Sequence, residues 1–163
     1  TDPARRGPDW AAFTVPVGGV GGNRRGRMCT RRAGMRGFAC IQEQVVPLRE
    51  LGVLELVQGE HAVTGGVTTL PTPGHTPGHM SIVISSQGEK ALILGDVLHN
   101  PVQAHETDWV SRADMDPEQT RITRRSLMER LEREGTLVAA VHMPAPGFGR
   151  IVRLEGRRYW QAL

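Results

Sequence analysis

The chain is poor in aromatic residues, 4% of 163, and contains a single lysine, Lys90, so nearly all of its positive charge is arginine. Hydrophobic residues make up 39%, which with so few rings describes a core of small aliphatic side chains rather than large anchors. No apolar run approaches the ~20 residues that span a bilayer. No apolar stretch follows the first basic residues as it would in an export signal, so a soluble, cytoplasmic chain with no membrane partner is expected. Cys29 and Cys40 form no CxxC pair and have no histidine beside them. This argues against a zinc knuckle and for free thiols in a reducing compartment. The six histidines are His61, His75, His79, His99, His105 and His142, and no two of them are separated by a single residue.

The formal charge of +3 and pI near 9.5 are unevenly distributed. Residues 1–40 hold eight arginines against Asp2 and Asp9, a balance of +6, which leaves −3 for the other 123 residues. That first segment is rich in glycine and arginine and lacks any sustained period of two or 3.6, so little regular structure is expected, beyond a short edge strand over 13–17. An arginine arm could bind nucleic acid, but little aromatic interleaving accompanies the charge, and a solvated tail is the preferred reading. Nothing in the sequence addresses the oligomeric state.

What the chain does have is concentrated in residues 69–100. Thr72-Pro73-Gly74-His75-Thr76-Pro77-Gly78-His79 cannot be helical, because its prolines remove donors and its glycines invite positive φ. Two runs rich in Ile, Val and Leu follow, 80–85 and 91–94, joined at Gln87-Gly88 as a hairpin of buried strands. The second run ends in Gly95-Asp96, which carries a carboxylate back towards His75. Imidazole and carboxylate presented from loops at strand ends are the ligand types of a hydrolytic zinc site; the plainer alternative is a stiff loop with ordinary polar side chains.

TPGHTPGH followed by LILGD resembles the second half of the metallo-β-lactamase superfamily, and from about Val45 onwards the chain is most similar to the branch of methyl parathion hydrolase and the N-acyl-homoserine lactonases. The stretches SQGEKALILGD and LVAAVHMPAPGFGRI carry that similarity. The resemblance implies an αββα sandwich of the α/β (α+β) class, incomplete at its N-terminal half, with residues 41–163 as the C-terminal part of the domain. It implies metal ligands at His75, Asp96 and His142, with Asp96 bridging two zinc ions that activate a hydroxide. His79 would orient these ligands from behind. The implied substrate is a small lactone, ester or phosphotriester. His99, three residues past Asp96, is read either as a surface loop histidine or as a substrate contact. The family's HxHxDH motif is missing, so each metal would have only two protein ligands, and weak or absent activity is the expectation for a catalytically impaired remnant. His99 and His105 are the nearest replacement ligands, although nothing in their spacing recommends them.

Around this centre, residues 41–51 suggest a short helix with Pro47 opening or kinking it, and 53–57 and 67–70 suggest strands, with His61 facing solvent between them. Asp116-Pro117-Glu118-Gln119 is a helix start, with Asp at the N-cap and Pro at the first position. The helix is expected to run to about Arg133, burying Ile122, Leu127, Met128 and Leu131, pointing arginines 121, 124, 125 and 130 to water, and stopping at Gly135. A strand over 136–141 then delivers His142, and a hairpin of 150–154 with 158–161 closes the chain. One long helix among mainly antiparallel strands is the expected architecture.

Overall fold

A computed structural model describes residues 12–14 and 45–163. Cys29, Cys40 and the remainder of the arginine-rich segment lie outside the described residues. The described chain divides into two units, the second beginning at Gln58. In the first, strand β1 (Ala12–Thr14) pairs in parallel with β2 (Leu54–Leu56), and helix α1 (Val46–Glu50) precedes β2. Pro47 falls in the first turn of α1, where its missing N–H costs nothing, so it opens the helix.

The second unit is a seven-stranded sheet in the order β3-β4-β5-β6-β7-β8-β9. Its strands are β3 (Ala62–Thr64), β4 (Val67–Pro71), β5 (Met80–Ser86), β6 (Glu89–Ile93), β7 (Leu137–Ala139), β8 (Phe148–Leu154) and β9 (Arg157–Ala162). All neighbours in this sheet are antiparallel except β6 and β7, which run parallel. A parallel pair needs a long crossover, and the one here contains helix α2 (Pro117–Glu134). The β5–β6 hairpin turns at Gln87 and Gly88, φ 50° and 83°. Two successive positive φ values match the right-handed twist of the strands they join. β3 was not anticipated: Gly65-Gly66 turns the chain just after a three-residue strand that offers too little alternation to be read.

The N-cap of α2 behaves as its sequence suggests, with Asp116 accepting from Gln119 N at 2.9 Å and Gly135 ending the helix at φ 59°. The buried stripe differs. Thr120, Arg124, Leu127, Met128 and Leu131 are buried, whereas Ile122 is 53% exposed. At 100° per residue Ile122 lies well off the line through Leu127, Met128 and Leu131, and Arg124 lies on it. Arg124 is fully buried rather than facing water. Its Nε donates to Val97 O at 2.8 Å and its Nη1 donates to Thr107 O and Trp109 O. The guanidinium thus binds the segment after β6 to the helix. Burial pushes its pKa down, and nearby Asp114 opposes that shift.

Around this polar anchor, Leu92, Val138 and Ile151 of the sheet pack with Leu127, Met128 and Leu131 of α2 and with Leu94, Val97, Leu98 and Ala104. Each such side chain contributes roughly 1.5–3 kcal/mol by leaving water. The other sheet face carries a row set by register, Ile82, Ile93, Ala139 and Phe148, in which Ile93 and Phe148 remain 39% and 48% exposed. Among the described residues no helix is long and apolar enough to cross a membrane.

Arg124→Leu removes the side-chain donor from Val97 O and Thr107 O, while Trp109 O keeps Gln103 Nε2, and a loss of about 3 kcal/mol is expected in urea unfolding. Arg124→Lys should recover only part of it, because one ammonium cannot reproduce the planar fork. A second expectation concerns acid. Glu132 is held by Arg153 and by Arg158 Nε at 2.6 Å, and these hydrogen bonds lower its pKa to about 2. Because the folded pKa lies below the unfolded one, the stabilisation is complete above about pH 4.5 and disappears as pH falls towards 2. Glu132→Gln should flatten that limb of the stability curve by about 0.5–1 kcal/mol, the scale of a solvent-screened pair. An unchanged acid limb in the variant would contradict this.

Candidate metal centre

The register of the parallel pair brings the first two residues together. Ile93 pairs with Ala139, and the pairing continues as Leu94 N donates to Ala139 O at 2.9 Å. Asp96 and His142 each lie three residues beyond that paired position, and His142 Nε2 is 2.9 Å from Asp96 Oδ1. Loops at the carboxyl ends of parallel strands are where α/β sheets gather functional groups. Between strand and carboxylate, Gly95 (φ 62°) turns the chain into a 3₁₀ turn. A Cβ there would meet His79 Nε2 at 2.7 Å, so position 95 excludes side chains twice over.

Residues 72–79 bring His75 to the same rim. β5 begins where β6 ends, because Ile82 pairs with Ile93. The loop docks on the start of α2: Asp116 N donates to Gly74 O and Met115 N to His75 O, each at 3.0 Å, and Thr123 Oγ1 donates to Pro73 O at 2.6 Å. Gly74 (φ 137°) makes this possible, since a Cβ would lie 2.5 Å from Thr120 Cα. His75 Nε2 is 3.5 Å from Asp96 Oδ2.

His79 lies behind these residues, buried and neutral, its pKa pushed down by burial against an opposing hydrogen bond to Thr72. The Asp96 amide can only donate, and it lies 2.9 Å from His79 Nε2. The proton is therefore on Nδ1, which reaches Thr72 O at 3.0 Å and Thr72 Oγ1 at 2.8 Å. Thr72 Oγ1 then donates to Ser81 Oγ at 3.1 Å, and Ser81 Oγ donates to Leu94 O at 3.0 Å. This chain ties the ends of β4, β5 and β6 together.

Asp114 belongs to the site although its sequence context did not mark it. Its side chain is fully buried, with Oδ1 3.0 Å from His75 Nδ1 and Oδ2 accepting from Ser111 N at 2.7 Å. A carboxylate on Nδ1 holds the imidazole proton there and turns a lone pair on Nε2 towards Asp96, the arrangement seen behind metal-binding histidines. The available signal was the Asp114-Met115-Asp116 pair of acids, of which only the helix cap had been assigned a role.

Burial alone would raise the Asp96 pKa, but the hydrogen bond from His142 and the nearby imidazoles of His75, His99 and His142 outweigh it and lower it. His99 proves to be part of this group: its ring centroid is 5.1 Å from that of His75 and 5.0 Å from that of His142. Burial lowers its pKa, with Asp114 opposing. His105 instead faces Glu106 at 3.3 Å, and His61 is half-buried rather than facing solvent, its backbone amide donating to Thr69 Oγ1.

The family model of the metallo-beta-lactamase superfamily matches residues 9–142. The chain belongs to that superfamily. An N-acyl homoserine lactonase from Bacillus thuringiensis is 28% identical over 88 residues, covering 54% of this chain and 35% of that protein. A second, from a Bacillus species, is 40% identical over 40 residues, covering 24% of this chain and 16% of that protein. Among solved structures, the hydrolase AbOPH of the beta-lactamase superfamily superposes with TM-score 0.69 at 27% identity, covering 76% of this chain and 43% of its own. AidC, a dizinc quorum-quenching lactonase, shares the fold with TM-score 0.64 at 20% identity, covering 76% of this chain and 47% of its own. This member of the superfamily thus spans about a third of the lactonase relative's length and under half of either solved structure.

His79→Ala removes the acceptor of the Asp96 amide and the donor to Thr72 in one change. A loss of about 2 kcal/mol is expected from the buried groups left unpaired, read as a lowered urea midpoint with unchanged slope. A change below about 0.5 kcal/mol, the ordinary range for a surface position, would show that the network contributes little.

Proposed function

We propose that the chain carries the C-terminal metal-binding half of a hydrolase that opens a small lactone or cleaves an ester or phosphotriester, with residues 41–163 as its part of the domain. The observation that supports this best is the meeting of His75, Asp96 and His142 at one rim, with His79 and Asp114 each fixing a tautomer or an orientation from behind. The residues suit a divalent ion. His75 Nε2 presents a lone pair to Asp96 Oδ2 at 3.5 Å, and two acceptors facing each other are an arrangement that a cation satisfies. Imidazole and carboxylate together are the donor set of catalytic zinc.

In this reading His75, Asp96 and His142 hold zinc. The chemistry that zinc supplies in such a site is ionisation of water near neutral pH and polarisation of the oxygen under attack. Asp96 would be able to serve an ion on either side, because its two oxygens face different histidines. Asp114 keeps the His75 proton on Nδ1, and His79 holds the Asp96 backbone so that the carboxylate does not swing. The lactonase relatives favour a lactone over the other substrates. No nucleic acid is needed to account for the site, and a reducing cytoplasmic setting suits the two cysteines.

A second reading, a catalytically impaired remnant, is supported by the missing HxHxDH. The test is hydrolysis of a lactone, an aryl ester and a phosphotriester with added zinc, comparing the chain with His75→Ala and Asp96→Ala. Zinc-dependent lactone turnover that falls at least ~100-fold in Asp96→Ala supports the hydrolase, because a lost ligand costs more than the ~10–100-fold of an outer partner. Turnover no faster than zinc in buffer points to the remnant. Turnover unaffected by both substitutions would overturn the site.

A further inference from the structure

The two oxygens of Asp96 face different company. Oδ1 lies 2.9 Å from His142 Nε2 and 4.0 Å from His99 Nε2, while Oδ2 has, among the described residues, His75 at 3.5 Å. His75 is in turn occupied on its other nitrogen by Asp114. We propose that Asp96, His99 and His142 close a one-cation site on the Oδ1 side, so that the chain binds a single zinc-class ion tightly with no contribution from residues before 75. The proposal rests on Asp96 and His142 being metal ligands and adds His99 to them.

Three observations support it. One donor atom from each of Asp96, His99 and His142 lies within 4.8 Å of the others. Bonds of ~2.0–2.2 Å in a tetrahedral zinc site place donors ~3.3–3.6 Å apart, and the separations of 2.9 and 4.0 Å from Asp96 Oδ1 bracket that distance. Modest side-chain rotation would therefore suffice.

His99 also lacks a polar partner that would explain its position. Its Nδ1 is buried with no hydrogen bond, its side chain is only 20% exposed, and its Nε2 stands beyond hydrogen-bond distance from Asp96. A proton carried on that buried Nδ1 leaves the Nε2 lone pair free on the Asp96 side, where it can ligate. Finally, the backbone that presents it is built for the purpose. Gln103 Oε1 accepts from His99 N at 2.6 Å and from Asn100 N at 3.1 Å, and Gln103 Nε2 donates to Trp109 O at 2.7 Å. Three protein ligands with a fourth position open is the pattern of catalytic zinc, and among the described residues the Oδ2 side offers two, Asp96 and His75.

The test is zinc uptake by the purified full chain, stripped with a chelator and titrated against a competing chromophoric chelator, with stoichiometry by mass spectrometry. One tight equivalent is expected, weakened at least ~100-fold by His99→Ala and equally by His142→Ala, because both remove a direct ligand. His75→Ala should change it less than ~10-fold, below the cost of a lost ligand, because His75 faces Oδ2, where it would hold a second, weaker ion. Wild-type affinity in His99→Ala beside a loss in His142→Ala would overturn the role of His99 and leave the other two ligands standing. Two equal equivalents would overturn the one-cation site, and no uptake at all would remove the metal reading with it. Should His99→Ala not fold, as judged by circular dichroism without zinc, the cobalt-loaded wild type decides. Hyperfine-shifted ring protons from two imidazoles are expected, and signals from one would overturn the proposal.

Discussion

A backbone amide can donate a hydrogen bond but never accept one, and the amide of Asp96 donates to an imidazole. That constraint fixes the tautomer of His79, then the direction of every hydrogen bond through Thr72 and Ser81 to the carbonyl of Leu94. The carboxylate of Asp96 is consequently aimed by a closed circuit of buried groups rather than by its own flexible torsions. Satisfied networks of this kind are rigid, whereas a half-satisfied one in the same low-dielectric setting would cost more than an apolar core. Gly95 belongs to the same constraint, since the imbalance it prevents is steric: any Cβ at that position displaces His79.

The second organising pair is electrostatic. Arg124 and Asp114 are both buried, and each is engaged by several groups: the guanidinium by the carbonyls of Val97, Thr107 and Trp109, the carboxylate by His75 and the amide of Ser111. Each tempers the cost of burying the other's charge. The loop over 97–114 is thereby attached at both ends to the elements that present the site, Asp114 behind His75 and Arg124 beneath Asp96 and His99.

Much of the fold was readable because its signals are local. The 80–94 hairpin shows its strand residues and its Gln87-Gly88 turn in one short window, and α2 carries its own cap, its first-turn proline and its terminal glycine. The closing hairpin likewise turns at Glu155-Gly156, both with positive φ. The elements missed had no such local signal. β3 is three residues long, and Arg124 was assigned to water by its charge although its helical phase is that of Leu127, Met128 and Leu131. At the candidate centre, the gathering of His75, Asp96 and His142 at one rim followed from strand ends and motif spacing. The placing of Asp114 beside His75 depends on how the 72–79 loop meets α2, and the placing of His99 between two other imidazoles depends on a capped 3₁₀ turn at Pro101–Ala104. Neither can be seen in a pattern of residue types.

Asp96 and His142 stand equally far beyond paired positions of two parallel strands, and everything between the strands is a crossover. The meeting of the two side chains is therefore indifferent to the length of that crossover. Residues could be gained or lost between the 3₁₀ turn and α2, or whole turns added to the helix, without moving either group, provided the pairing of Ile93 with Ala139 stands. A single residue inserted between either paired position and its site residue would instead break the equal spacing that brings Asp96 and His142 together. The strand ends are thus held to an exact residue count, while the crossover is held only where it presents His99 and Asp114 to the site.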